Sequence, residues 1–351
     1  MITFWDALIL KSDLREIEIR STPDRTSADL APGEVLLAVD RFSLTANNIT
    51  YGAMGDAFGY WRFFPAPEGL GRIPVWGFAT VLASKSPDVD PGQRIFGYLP
   101  MSSHVVMSLV KTRQGLVDVA AHRADLPPTY NAYNLAPSDP MDDYRALLRP
   151  LLMTSFLLDD FLAEIEGLQT LVLSSASSKT AMGLAWFAGQ RGMKTVGLTS
   201  SANQSALSRF DLYGDVLAYD QLTTLQLEGP VAFVDFAGNS AVVGQVHAAL
   251  GGALTRSLIV GGTHWEAPRL REGLTGPTPV LFFAPDQIRK RSAEWGPQIL
   301  QSRFEGALAG FVSGNPWLTL VYNQGPDGLV EAYRAVIEGR TAPQNGHIII
   351  P

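Results

Sequence analysis

The sequence predicts a two-domain α/β protein, and three observations carry that reading. The first third is rich in β-branched and aromatic residues broken by turn signals such as Pro32-Gly33 and Asp90-Pro91-Gly92. From Thr170 onward, short apolar runs alternate with helix-length stretches. Thr170 to Leu173 is apolar without polar alternation, as a strand covered on both faces should be. A chain of 351 residues is long for one domain and comfortable for two. Residues 1–130 and 286–351 are expected to form the β-rich domain and 131–285 the doubly wound one.

Taken in order, Ile17 to Arg20, Glu34 to Phe42 and Val75 to Ser84 read as strands, and Pro91-Gly92 reads as a turn delivering a short buried strand. A Pro-rich connection from Pro127-Pro128 to Pro140 follows. Pro150 to Ile165 is expected to be a helix with its proline in the first turn. After the strand Thr170 to Leu173 come a helix from Ser178 to near Gly192 and a strand Thr195 to Thr199. A helix from Ser205 to Tyr213, closed by Gly214, precedes strands Val216 to Tyr219 and Val231 to Phe236. A helix Ala241 to Leu250, a strand Arg256 to Val260 and a sixth strand Pro279 to Ala284 complete the parallel sheet. Helical sequence over Gln287 to Phe311, broken at Gly296-Pro297, leads to a strand (Leu318 to Tyr322), a helix (Gly325 to Glu338) and a last strand (His347 to Ile350).

Composition narrows the function. Hydrophobic residues make up 46% and charged residues 17%, enough apolar material for sizeable cores and too little charge for disorder. The net charge of -7, without a cluster of Lys and Arg, argues against nucleic acid as a partner. With no cysteine there is no disulfide, thiolate nucleophile or Cys-ligated zinc. Five histidines (His104, His122, His247, His264, His347) show no ligand spacing such as i, i+4. Met1 to Glu18 lacks the pattern of a signal peptide, and no run of ~18 apolar residues predicts a membrane span. Cytoplasmic residence is expected.

In a doubly wound sheet the ligand lies at the carboxyl ends of the strands, where their order reverses, and the first strand-to-helix turn faces its phosphates. That turn is Ser174-Ser175-Ala176-Ser177-Ser178-Lys179-Thr180-Ala181-Met182-Gly183. It lacks the G-x-G-x-x-G glycines but keeps small residues at that spacing (Ala176, Ser178, Ala181), with hydroxyl donors and the cation of Lys179. A Ser-rich, N-capped helix without ligand is the bland alternative. Ser178-Lys179-Thr180 is not a Walker A end, because Ser178 and Leu173 stand where that loop needs glycine. At the end of the second strand, Ser200, Ser201 and Asn203 replace the acidic residue that would bind a ribose 2′-hydroxyl. That favours NADPH over NADH, with Lys179, Arg209 and Tyr219 as candidate partners of the phosphate. An ordinary polar turn explains the same residues.

The order of elements resembles the medium-chain dehydrogenase/reductase superfamily, nearest its zinc-free quinone oxidoreductase and enoyl reductase branch. Pro91 to Gly97 is similar to the V-G-D-R-V-x-G strand of its GroES-like domain. Leu173 to Gly183 is similar to its V-L-V-x-G-A-x-x-G-V-G turn, with Ser177 and Ala181 at glycine positions. Phe233 to Gly238 resembles the D-x-V-G segment, Leu258 to Gly262 the V-x-x-G strand, and His347 to Ile350 the closing strand. The serine-rich turn resembles that of a little-characterised bacterial family of unknown function within the superfamily. Val75 to Ala79 stands where zinc-dependent members carry Gly-His-Glu. Ala206 replaces the usual lysine of the helix after the second strand, while Tyr219 matches a tyrosine placed near the adenosine phosphate.

The resemblance implies a GroES-like substrate domain and a six-stranded Rossmann-type domain binding NADP(H), with Ser175, Ser177, Ser178, Lys179, Thr180, Gly261 and Gly262 along the cofactor. It implies a homodimer paired through the sixth strand and hydride transfer to an activated alkene, quinone or enoyl-type carbonyl compound. Within Ser43 to Gly52, Asn48 stands at the Asp position of the loop over the nicotinamide, and Tyr51 follows three residues on. Both can donate a hydrogen bond to the oxygen that gains charge. A turn at Asn47-Asn48 with Tyr51 in the core is the alternative. The aromatic run Phe58 to Pro65 either walls a pocket for a flat substrate or packs a core or dimer contact. A non-catalytic sensor that keeps the fold is the competing reading.

Overall fold

A computed structural model describes residues 4–261 and 273–351. The chain divides into two compact units. One comprises Met1–Leu147, Thr319–Thr341 and Asn345–Pro351; the other comprises Leu148–Leu318 and Ala342–Gln344. No described helix is long and apolar enough to cross a membrane.

In the first unit, strand Trp5–Leu10 pairs antiparallel with Ile17–Ser21 and Leu70–Gly71. The principal sheet has nine strands. Val35–Leu44 and Pro74–Ser84 form its middle, and Asn345–Ile350 pairs antiparallel with the former. The C-terminal strand therefore returns to the first domain, as the element order implied. Gly92 takes φ 85 at the turn before strand Arg94–Pro100. Ser43 to Gly52 is not an open loop: Ala46–Ala53 is a helix started by a capping box on Thr45 and Asn48.

The second unit holds a six-stranded parallel sheet in the order Asp215–Ala218, Lys194–Thr199, Thr170–Leu173, Val231–Asp235, Leu254–Ile259, Val280–Leu281. Numbered along the unit this is 3-2-1-4-5-6, the doubly wound order, with its switch between Thr170–Leu173 and Val231–Asp235. All four residues of Thr170–Leu173 are buried, as the unbroken apolar run demanded.

Several elements differ from expectation. The helix expected at Pro150 begins at Asp142 and runs to Ala163, with Pro150 in its interior. Proline frees the carbonyl four residues back. Here that acceptor, Ala146 O, receives the Ser43 hydroxyl at 2.7 Å, so the lost bond is replaced. The helix expected over 205–213 spans Ser201–Ser208 instead, and the left-handed residue after it is Asp211 (φ 55), not Gly214. The sixth strand shrinks to Val280–Leu281, because helix Ala284–Trp295 starts at once with proline in its first turn.

The expected domain boundary at 285 also moves. Residues 286–318 belong to the parallel-sheet unit, and residues 131–147 to the other. Arg291 binds Asp160 at 2.5 Å and Glu164 at 2.6 Å, while Phe304 meets Phe156 edge-on. Helices Ala284–Trp295 and Pro297–Gly314 thus pack on the helix that precedes the first parallel strand, a partnership no local signal announces.

Candidate functional site

At the switch of the parallel sheet the serine-rich turn is held by side chains from neighbouring strands. The Ser174 hydroxyl donates to Asp235 Oδ1 at 2.6 Å and accepts the Phe236 N–H at 2.8 Å. Asp235, fully buried, also accepts the backbone N–H groups of Ala237 and Gly238. Ser174 and Asp235 therefore stitch the first strand to the fourth at the switch point of the sheet. Gly261 N–H reaches Asp235 O at 3.4 Å, which sets Gly261 beside the same switch. Gly262 and His264 lie outside the described residues.

Ser175 is the left-handed residue of the turn (φ 49), not Ser177, which the resemblance had paired with glycine. A non-glycine residue there needs local support. It has some: Ser175 N–H donates to the Tyr219 hydroxyl at 2.8 Å, and Ala176 N–H donates to Leu198 O at 2.9 Å. Burial pushes the Tyr219 hydroxyl up to about 12, so it stays a neutral phenol.

Ser178 caps helix Lys179–Gln190, accepting Ala181 N–H at 3.3 Å. Its hydroxyl serves the helix rather than a ligand. The hydroxyls of Ser177 and Thr180, half-buried, are the ones that no bond among the described residues engages. Lys179 is half-buried beside them, its Nζ 3.5 Å from Pro343 O, and burial brings its ammonium down to about 8. Hydroxyl donors and a cation whose charge costs desolvation energy form a donor set that fits a pyrophosphate.

At the end of the second strand, Ser200 caps helix Ser201–Ser208. Asn203 sits in its first turn, and the Ser201 hydroxyl donates to Asp220 at 3.3 Å. Sequence reasoning searched this strand end for an acidic residue and found none; Asp220 arrives from beyond the third strand. Arg209 stands at the other end of that helix. It follows the last residue of the eight-residue helix Ser201–Ser208, about 12 Å of helix away from the strand end.

In the first unit, helix Ala46–Ala53 decides which asparagine is available. Asn48 is buried, its Oδ1 accepts from Thr45 N at 2.8 Å, and its Nδ2 donates to Pro74 O at 3.0 Å. Those bonds consume it as a helix cap, which corrects its expected role beside the substrate. Asn47, half-buried, hydrogen-bonds Tyr51 one helical turn on. The i, i+4 spacing was the signal that sequence reasoning passed over.

Tyr51 lies in an aromatic cluster with Phe63, Phe64, Tyr98 and Leu126, flanked by half-buried Tyr60, Trp76 and Tyr130. Its hydroxyl accepts Trp76 Nε1–H at 3.3 Å. Burial, with the Tyr60 phenol beside it, raises the Tyr51 hydroxyl well above the ordinary phenol range. The run Phe58 to Pro65 is divided: Phe63 and Phe64 pack in this cluster, whereas Trp61 lies against Gly55 and Gly71, and Phe58 is exposed. Among the described residues, no three His, Asp or Glu side chains converge to hold a metal ion.

Residues 42–342 match the family model described as "Protein of unknown function (DUF2855)". The chain belongs to the DUF2855 family. No curated protein matches this DUF2855 chain in sequence. Solved structures do match in fold. CurA from Vibrio vulnificus, crystallised with NADPH, is 15% identical with a TM-score of 0.63, over 95% of this chain and 94% of its own. The Etr1p/NADP/crotonyl-CoA complex is 13% identical with a TM-score of 0.61, over 100% of both chains. Etr1p is one half of a mitochondrial 2-enoyl thioester reductase heterodimer from Candida tropicalis. Mycobacterial Rv1454c, complexed with NADPH, is 13% identical with a TM-score of 0.58, over 99% of this chain and 100% of its own. The DUF2855 chain therefore has the α/β fold of these structures, a GroES-like β-rich part and a Rossmann-type sheet.

Proposed function

We propose that the chain is a metal-independent, NADP(H)-dependent oxidoreductase that passes hydride to an activated alkene, quinone or enoyl-type carbonyl compound, acting as a cytoplasmic homodimer. One observation carries the reading. The switch of a 3-2-1-4-5-6 sheet presents the Lys179 ammonium with the hydroxyls of Ser177 and Thr180, where a dinucleotide's phosphates belong. The NADPH and NADP complexes of CurA, Rv1454c and Etr1p support it, as does the absence of cysteine for metal independence.

When bound, the nicotinamide supplies the hydride. Lys179, Ser177 and Thr180 would neutralise and hold the pyrophosphate, while Ser200 and Asn203 would serve the adenosine ribose and its phosphate, beside a Ser201 hydroxyl already given to Asp220. Tyr51 keeps its proton at any physiological pH and donates to the substrate oxygen that gains charge, with Asn47 and Trp76 fixing the phenol.

Heating the protein with NADPH or NADH tests this. A ligand held by the folded state raises its melting temperature, and a panel of enones and quinones should then consume the reduced cofactor. No rise with either nucleotide at about 1 mM would overturn the proposal, because so weak a complex adds almost nothing to RT ln(1 + [L]/Kd). A second reading, a non-catalytic sensor of the same fold, is favoured by the Tyr219 hydroxyl, which already takes the Ser175 N–H.

A further inference from the structure

Four phenols meet in the first unit without a charged partner. Tyr51, Tyr60, Tyr98 and Tyr130 lie with ring centroids 4.8 to 6.2 Å apart, the closest being Tyr51 with Tyr60 and Tyr98 with Tyr130. Trp76 lies 5.3 Å from Tyr98 and 6.1 Å from Tyr130. Three of the four hydroxyls have partners: Tyr51 with Trp76 and Asn47, and Tyr60 with Tyr130 at 3.4 Å. The fourth does not. Tyr98 is fully buried, and its hydroxyl has no hydrogen-bond partner among the described residues.

A buried hydroxyl without a partner costs on the order of 1–3 kcal/mol, so an accident of packing is a weak explanation for it. The strand backbone that carries the ring is held firmly. Tyr133 donates to Tyr98 O at 2.7 Å, and buried Arg123 donates to Tyr133 Oη at 2.9 Å while Asp118 neutralises it at 3.2 Å. Tyr60, Tyr130 and Trp76 are the half-buried members, so the cluster reaches solvent on their side. Flat π-faces and neutral donors line the four phenols, and Arg123, which lies over the Phe64 ring at 4.5 Å, is already neutralised by Asp118, so the cluster favours a planar, uncharged ligand bearing an oxygen acceptor.

We infer that this aromatic cluster is a binding site for an uncharged planar carbonyl compound, and that the Tyr98 hydroxyl donates the hydrogen bond to its oxygen. The inference deepens the reductase reading, on which identifying the ligand as the substrate rests. It gives Tyr98 a role separate from Tyr51: Tyr51 serves the oxygen of the reacting group, and Tyr98 anchors the ring.

The test uses the whole chain without nucleotide and two probes, 1,4-naphthoquinone and naphthalene, which share a ring system and differ in oxygen. The chain has no cysteine, so thiol addition to the quinone is not a competing reaction. Calorimetric titration should show the quinone bound at least tenfold tighter than the hydrocarbon. Tyr98→Phe should abolish that preference without lowering the melting temperature of the free protein. Equal affinity of the wild-type chain for the two probes overturns the inference, whatever the variant does. So does an unchanged preference in Tyr98→Phe, and so does a lower melting temperature with unchanged preference, which would mark a buried water as the partner. If the quinone binds through Tyr98 yet no reduced nucleotide is consumed, the reductase reading fails and the site stands. If enones are reduced and Tyr98→Phe leaves KM unchanged, the reading stands and the site fails.

Discussion

Lys179 is charged at a place that resists charge. Its ammonium falls from 10.5 to about 8 through burial, so between those values the unfolded chain binds the proton that the folded chain has released. Stability then rises with pH across that window. The expected outcome is that Lys179→Met is more stable than wild type at pH 7 and that the gap closes by pH 10, read by chemical denaturation at both values. An equal gap at both would mean a solvated lysine. Dinucleotide affinity should weaken over the same window in wild type and stay flat in the variant. Asn47 and Asn48 make a second residue-scale contrast. Asn48→Ala removes a cap and leaves Pro74 O unpaired, costing about 2 kcal/mol of stability with little effect on kcat. Tyr51→Phe should do the reverse, lowering kcat by about 10²-fold or more at unchanged melting temperature. If Asn48→Ala silenced turnover without destabilising the chain, the assignment of the two asparagines would be inverted.

Among elements, helix Lys179–Gln190 shows how closely packing constrains a ligand-facing turn. A Cβ on Gly183 would lie 2.3 Å from Leu152 Cδ2 and 2.8 Å from Ser155 Oγ, whose hydroxyl is committed to Thr180 O at 2.7 Å. Gly183→Ala should therefore cost about 1–3 kcal/mol and push the first turn of the helix out of place. Nucleotide affinity should fall with stability in that variant; a melting temperature equal to wild type would show that the two helices separate easily. This retained glycine was legible in the sequence as part of the turn. Leu152 was legible too, as part of an apolar helix face, but its contact with Gly183 was not, because no local pattern says which helix faces that glycine. The Ser43 hydroxyl rescues Pro150 from more than 100 residues away in the chain, and local propensity holds no trace of such a bond.

For the whole molecule, the unit boundary falls at residue 318 rather than 285, because helices 284–314 bury against Asp160, Glu164 and Phe156. The parallel sheet ends on Val280–Leu281, both more than half exposed, with Phe283 exposed just beyond. An apolar edge strand with no further strand beside it among the described residues invites pairing with a second copy. Leu281→Lys should shift the chain from dimer to monomer in sedimentation analysis while leaving its circular dichroism unchanged. A monomeric wild-type chain would remove the homodimer from the proposal.

The parallel sheet, its switch point and the position of the serine turn were determined by the sequence alone. Strand and helix periods are local, and an unbroken apolar run such as Thr170–Leu173 has few alternatives to burial on both faces. Which asparagine is spent on a cap, which serine turns left-handed, where Arg209 ends up and what Tyr219 touches were decided only by tertiary structure. Each depends on a hydrogen bond or a packing contact between residues distant in the chain, or on where a helix starts, and a side chain's type is the same whichever partner it finds.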